Sequence, residues 1–152
     1  MLVAARPSAR LLVAGSVSRG LSIPAPEGVC LLGVVDDLAP LYRDAGVVIS
    51  PLRTGSGLKI KLIEAMAAGK AIVGTGVTLQ GVADIAGHAI VAVDRTEDFA
   101  EAVAGLLVDQ AARLRLGEAA LSAAREAFSP EAAIAELLRY IDERAGRAAR
   151  AN

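Results

Sequence analysis

Val47-Val48-Ile49-Ser50, followed by Pro51-Leu52-Arg53-Thr54-Gly55-Ser56-Gly57, then Leu58-Lys59-Ile60-Lys61-Leu62-Ile63-Glu64-Ala65-Met66-Ala67-Ala68-Gly69, then Lys70-Ala71-Ile72-Val73-Gly74-Thr75, is the stretch that decides the fold. Its first and last pieces are short, β-branched and almost continuously apolar, as strands covered on both faces of a parallel sheet should be. The segment between them predicts a helix from about Leu58 to Ala68 that stops at Gly69. A strand, a crossover helix and a second strand imply parallel pairing.

Outward from this unit the same alternation continues. Arg10–Ala14, Val29–Leu32, Val47–Ser50, Ala71–Thr75 and Ala89–Val93 predict five strands. Asp36-Asp37 offers an N-cap to a helix carrying Leu38, Leu41, Tyr42 and Ala45 on one face, and Gly46 is its expected stop. A shorter helix is expected over Gln80 to Ala86. After the fifth strand the period turns helical for good. One helix opens at Thr96 with Glu97 and Asp98 and runs through Val108, and a second is capped by Asp109 and runs from Gln110 to about Ala127. A third starts at Ser129-Pro130-Glu131 and extends towards Arg144, with residues 146–152 expected to fray. The fold class is α/β: one open parallel sheet of about five strands, helices on both faces and a helical tail, in one domain over 1–145.

Composition narrows the function classes. The 152 residues carry 16 Lys+Arg against 17 Asp+Glu, and 54% are hydrophobic, which excludes intrinsic disorder and argues against an electrostatic nucleic-acid footprint. Aromatics for base stacking are few: Tyr42, Phe99, Phe128 and Tyr140. Cys30 stands alone, so no disulfide forms within the chain, and it reads as inert core. His88, the single histidine, opens the fifth strand and reads as structural rather than as a metal ligand. No run approaches the ~18 apolar residues of a membrane span. Arg6, Arg10 and Arg19 precede the first acid, Glu27, a superficial likeness to a transit peptide, but Ala9–Gly15 reads better as a buried strand with a glycine turn. The default expectation is cytoplasmic, with at most peripheral membrane association.

In open α/β sheets ligands sit beyond the carboxyl ends of strands. The turns there are Gly15–Gly20, Gly33–Asp37, Ser50–Gly57 and Gly74–Gly81, and the third places Gly55-Ser56-Gly57 at an expected helix N-terminus. Glycines permit close backbone approach, and first-turn N–H groups attract an anion, a diphosphate above all. Arg53, Lys59 and Lys61 add positive charge. The spacing is neither the Gly-x-Gly-x-x-Gly fingerprint nor a P-loop, and lysines on a first turn are often simply solvated. All three lysines (Lys59, Lys61, Lys70) nevertheless cluster here, in a chain that otherwise uses Arg. Glu64, two turns after Gly57 and flanked by apolar residues, is either a carboxylate for two adjacent sugar hydroxyls, an i,i+3 partner of Lys61 or a helix-surface acid.

Gly33-Val34-Val35-Asp36-Asp37-Leu38, Tyr42-Arg43-Asp44-Ala45, Ile49-Ser50-Pro51-Leu52-Arg53, Gly55-Ser56-Gly57-Leu58-Lys59, Glu64-Ala65-Met66-Ala67-Ala68-Gly69-Lys70-Ala71-Ile72-Val73 and Phe128-Ser129-Pro130 together resemble the donor-binding, C-terminal Rossmann-like domain of retaining GT-B-fold glycosyltransferases (glycosyl transferases group 1). The likeness runs from about Ala9 to Ile141. It implies that Glu64 holds ribose hydroxyls and that Gly55, Ser56, Gly57 and Leu58, with Arg53 and Lys61, line the diphosphate or donor sugar. Lys59 is the implied catalytic residue, and Val34 and Val35 are implied to meet the base. The family often has an acid where Ser56 stands and another at Gln80, so these positions depart from its pattern.

The implied reaction moves a glycosyl group from a nucleoside diphosphate sugar to an acceptor hydroxyl with retention, and needs no cofactor or metal beyond that substrate. A complete enzyme of this kind has a second, acceptor-binding domain, and the first strand of the donor domain is also missing from the pattern. The chain therefore reads as a fragment, a mis-started reading frame, or a donor half needing an acceptor-binding domain on another chain or a homo-oligomer. The alternatives are a non-catalytic nucleotide-sugar-binding module and an interaction protein.

Overall fold

The computed structural model describes residues 9–20 and 24–150. Arg6 and residues 151–152 of the expected tail lie outside them. Five strands appear in order: β1 (Leu11–Ala14), β2 (Val29–Gly33), β3 (Val48–Ser50), β4 (Ile72–Gly74) and β5 (Ile90–Ala92). A short 3-10 turn, Ser16–Gly20, follows β1. The helices are α1 (Ala39–Asp44), α2 (Ile60–Ala67), α3 (Gly76–Leu79), α4 (Ala83–Ala86), α5 (Thr96–Val108), α6 (Gln110–Phe128) and α7 (Pro130–Arg150).

β4 organises the larger part of the molecule. It pairs in parallel with β3 on one side and β5 on the other, Ile72 opposite Val48 and Ile90, Val73 opposite Ile49 and Val91. Side chains alternate across a strand, so Ile72 and Val73, both fully buried, enter different cores. Ile72 joins Leu62, Ala65 and Met66 of α2, Ala86 of α4, and Ala120 and Ala124 of α6. Val73 joins Phe99, Val103 and Leu106 of α5. Helices therefore cover both faces, as the alternation of the sequence requires.

Several boundaries differ from expectation. The strands do not form one hydrogen-bonded sheet: β1 pairs only with β2, and β3-β4-β5 forms a separate ladder. Leu11, Leu12 and Leu32 are 37%, 46% and 39% exposed, although their strands read as buried. An apolar pattern records what a strand can bury, and here these side chains are left partly open. Of the helix expected over Gln80–Ala86 only the single turn α4 forms; a further turn, α3, precedes it, and Gly81 with φ +85° lies between the two. Asp37 accepts from the Ala39 N–H at 2.8 Å, but the N-cap position falls on Leu38, which makes no side-chain cap; α1 begins later than expected and ends at Ala45 in extended conformation rather than at Gly46. α7 continues to Arg150, past the expected fraying point. His88 lies exposed in the turn after α4 instead of opening β5, and Cys30 is half-buried rather than core. Asp109 caps α6 as read, accepting from Ala112 N–H at 2.8 Å.

α2 and α6 approach each other closely at two glycines. Gly69 ends α2 with φ +64°, and a Cβ added to Gly117 in α6 would lie 2.2 Å from the Gly69 carbonyl oxygen. That backbone oxygen cannot yield as a flexible side chain does. Gly→Ala inside a helix ordinarily stabilises by about 1 kcal/mol, but here overpacking wins. Gly117→Ala is expected to destabilise the protein by about 1–3 kcal/mol, read as a lowered urea midpoint.

Candidate functional site

The loop from β3 to α2 is anchored from below by two hydroxyls. Thr78, fully buried, donates to the Ser50 carbonyl at 2.6 Å and lies 3.1 Å from Ser50 Oγ. Thr75, also buried, donates to the Leu52 carbonyl at 2.5 Å and caps α3 by accepting from Thr78 N–H. Both threonines follow β4, so the strand that carries the core also fixes the start of the loop. A third anchor is Leu58, packed so closely on Gly81 that a Cβ there would lie 3.4 Å from its Cδ1.

Beyond these anchors the loop is exposed from Pro51 to Leu58. Gly55 and Gly57 take φ of +135° and +71°, values that suit glycine. The bend does not sit directly on the helix: Lys59 is the N-cap, extended at φ −95° and ψ 96°, and α2 starts at Ile60. The first helical turn thus starts two residues later than the sequence suggests. α2 opens with no side-chain cap and no acid in its first turn. Lys59 Nζ donates to the Gly57 carbonyl at 2.6 Å, folding its ammonium back over the bend.

Six of the predicted site residues border two hollows that share Val35 and Lys61. A cavity of about 1530 Å³ has Val34, Val35, Leu58, Lys59 and Lys61 in its wall. A shallower hollow of about 830 Å³ is bordered by Val35, Asp36, Tyr42, Lys61, Glu64 and Lys70. Val35 and Lys61 belong to both. Gly55, Ser56 and Gly57 stand on the exposed bend outside either wall. Arg53 is directed elsewhere, its Nη2 donating to Thr96 Oγ1 at 2.6 Å. Lys70 donates to the carbonyls of Arg43 and Ala45 at 2.8 and 3.2 Å. It thus closes the C-terminus of α1, which accounts for one member of the lysine cluster without any ligand.

Glu64 faces the shallower hollow with its side chain 36% exposed. Both of its oxygens accept from Lys61 Nζ at 2.9 Å, the i,i+3 contact the spacing allows. Oε2 also lies 3.2 Å from Tyr42 Oη, whose single proton is shared with the Lys61 carbonyl at 3.3 Å. Burial first, and then the Glu64 charge and hydrogen bond, push the Tyr42 phenol from 10.0 up to about 12. Tyr42 is the residue that sequence reasoning left out of the site. It stood in the helical face of α1, 22 residues from Glu64, and only the packing of α1 on α2 brings them together. Among the described residues no group of three or more His, Cys, Asp or Glu converges as a metal site, and no helix is long and apolar enough to cross a membrane.

A family model described as "Glycosyl transferases group 1" matches residues 1–109. Comparison with curated protein sequences found no match. Among solved structures, the chain superposes on sucrose-phosphate synthase from Thermosynechococcus elongatus with a TM-score of 0.72 at 23% identity, covering 97% of this chain and 42% of that one. A glycosyltransferase from Rickettsia africae ESF-5 gives 0.69 at 18% identity, with coverages of 93% and 42%. The chain thus spans about two fifths of the length of each, and the likeness establishes the shared fold.

The raised phenol fixes a pH dependence. A proton bound more tightly when folded contributes stability that is complete below the free phenol's pH 10 and is lost as pH climbs through about 12. Denaturant midpoints of the protein and of Tyr42→Phe, measured from pH 8 to 12, are expected to differ in this sense: the parent loses stability above pH 10 more steeply than the variant.

Proposed function

Because the chain belongs to the group 1 glycosyltransferases, we propose that it binds a nucleoside diphosphate sugar at the carboxyl ends of its strands and forms the donor half of a retaining glycosyl transfer to an acceptor hydroxyl. The observation that carries this reading is the placement of Glu64, Lys61 and Lys59 along one helix start, with Val34 and Val35 across the hollow.

In this reading the diphosphate lies against the Gly55–Gly57 bend and the open first turn of α2, where N–H groups and two ammonium groups meet its charge. Lys59 is the catalytic candidate. As the glycosidic C–O bond breaks, negative charge gathers on the leaving diphosphate, and a preorganised donor there is worth about 3–4 kcal/mol of barrier. Glu64 takes the ribose diol, one oxygen for each hydroxyl, while Val34 and Val35 contact the base.

The Lys61–Glu64 pair favours this use of Glu64 over a purely structural one. Lys61 is 70% exposed, and an exposed pair of this kind is worth only ~0.2–1 kcal/mol. A diol can displace the ammonium at little cost, releasing Lys61 towards the phosphates, while the Tyr42 hydroxyl keeps the carboxylate aimed. Transfer itself requires an acceptor site, supplied by an acceptor-binding domain on this or another chain or by a homo-oligomer. A module that binds the nucleotide sugar without transferring it is the second reading, since half a cleft can bind without positioning an acceptor.

Titration calorimetry with uridine and guanosine diphosphates tests this assignment. One of the two is expected to bind. Glu64→Ala should weaken that nucleotide about tenfold, the loss of hydrogen bonds to a charged acceptor, while leaving inorganic pyrophosphate unchanged, whereas Lys59→Ala should weaken both. Absence of binding at millimolar nucleotide rejects the proposal.

A further inference from the structure

The loop from β3 to α2 has firm ends and an exposed middle. Its start is held at the Ser50 and Leu52 carbonyls, its end where Leu58 packs on Gly81. Between these anchors every residue from Arg53 to Gly57 is exposed. A Cβ at Gly57 would meet nothing within 4 Å, and one at Gly55 only the Lys59 side chain, at 3.9 Å. Packing against neighbours therefore does little to fix the two glycines, whose backbones lose the most freedom on being ordered.

The side chain that reaches out of this segment to another element is that of Arg53. Its Nη2 donates to Thr96 Oγ1 at 2.6 Å, across 43 residues of chain. Thr96 opens α5, which is set in the Val73 core through Phe99, Val103 and Leu106, so the acceptor stands on a rigid base. From the other side Thr75 takes the Leu52 carbonyl, directly before Arg53. Asp94 closes the circuit, its Oδ1 accepting from the Gly76 N–H at 2.8 Å. The loops after β3, β4 and β5 are thus laced in pairs: the first two by the threonines, the last two by Asp94, the first and third by Arg53.

Arg53 borders neither hollow of the candidate site. A planar guanidinium bonded at one nitrogen is also committed in direction, here towards α5. We propose that Arg53 is a positioning residue: its bond to Thr96 holds the Gly55–Gly57 bend in the form that receives a diphosphate, and the guanidinium does not touch the ligand. This rests on the diphosphate reading above and narrows it. The family resemblance counts Arg53 among the groups lining the diphosphate; the tether leaves that task to the bend, Lys59 and Lys61.

Thr96 is the discriminating position, because it can be changed without altering any charge. Thr96→Val removes the acceptor, and Thr96→Ser keeps it. The 152-residue protein is titrated with inorganic pyrophosphate in a calorimeter, in about 0.15 M salt to screen exposed charges. Thr96→Val is expected to bind about fivefold more weakly, the loss of one hydrogen bond, and Thr96→Ser to bind as the parent does. Arg53→Ala should weaken binding at least as much, and adding Thr96→Val to it should change nothing further, since the two side chains act as one unit. In nitrogen–proton correlation spectra without ligand, Thr96→Val should displace the Gly55 and Gly57 amide signals, with circular dichroism checking that the variant folds. Unmoved glycine signals overturn the proposal. So does additivity of the two substitutions, which makes Arg53 a direct ligand. A parent that binds no pyrophosphate removes the diphosphate reading and this role with it. A parent that binds, with Thr96→Val binding equally well, removes this role alone.

Discussion

Two carbonyl groups at the end of β3, those of Ser50 and Leu52, are held by the hydroxyls of Thr78 and Thr75, and the geometry of the whole candidate site follows from that grip. A loop leaving a strand needs partners for its backbone groups, and an unpaired buried carbonyl costs about 1–3 kcal/mol. Here the partners come from the turn after the neighbouring strand. The β3 loop and the β4 loop therefore share one position, and the bend at Gly55–Gly57 is displayed from a fixed base. Gly74 permits it, since a Cβ there would lie 3.0 Å from Thr78 Cγ2. The site is thus an extension of the β3–β4 ladder, whose stability comes from the Ile72 and Val73 cores on either face.

The sequence made that ladder legible because each of its signals is local. Ile72-Val73 between Gly69 and Gly74 is a continuous apolar run bounded by turn residues, and Asp109 caps the helix that starts after it. The parts that were not legible depend on contacts between residues distant in the chain. Nothing near Leu58 tells that its side chain will pack on Gly81. Nothing near Lys70 tells that its ammonium closes α1, 25 and 27 residues away. β1 and β2 have the composition of buried strands, and their exposure is a property of what lies beside them.

The same distinction applies to Glu64. Its spacing from Lys61 and from Gly57 fits two uses equally well, and the fold adds a third group, Tyr42, that neither spacing contains. A phenol held un-ionised to about pH 12 is a donor throughout the physiological range. It satisfies part of one carboxylate oxygen, while the exposed ammonium of Lys61 satisfies the rest through a bond that solvent competes for. A carboxylate with one fixed and one exchangeable partner is oriented without being occupied, and this is the electrostatic condition for receiving a neutral diol.

Exchangeability on the surface and incompleteness in the interior are related in this molecule. Lys59 and Lys61 border the cavity that separates the two ladders, so the charged rim of the candidate site and the open edge of β3 share one wall. Val34 and Val35 reach that wall from the end of β2, on the other ladder. The distance between Val34 and Val35 on one side and Lys59 and Lys61 on the other is then set by how β1 and β3 stand apart. Hydrogen bonds fix strand spacing at about 4.8 Å per pair, a far tighter constraint than the packing of exposed leucines along an unpaired edge. The width of the hollow between Val35 and Lys61 therefore follows the separation of the two ladders.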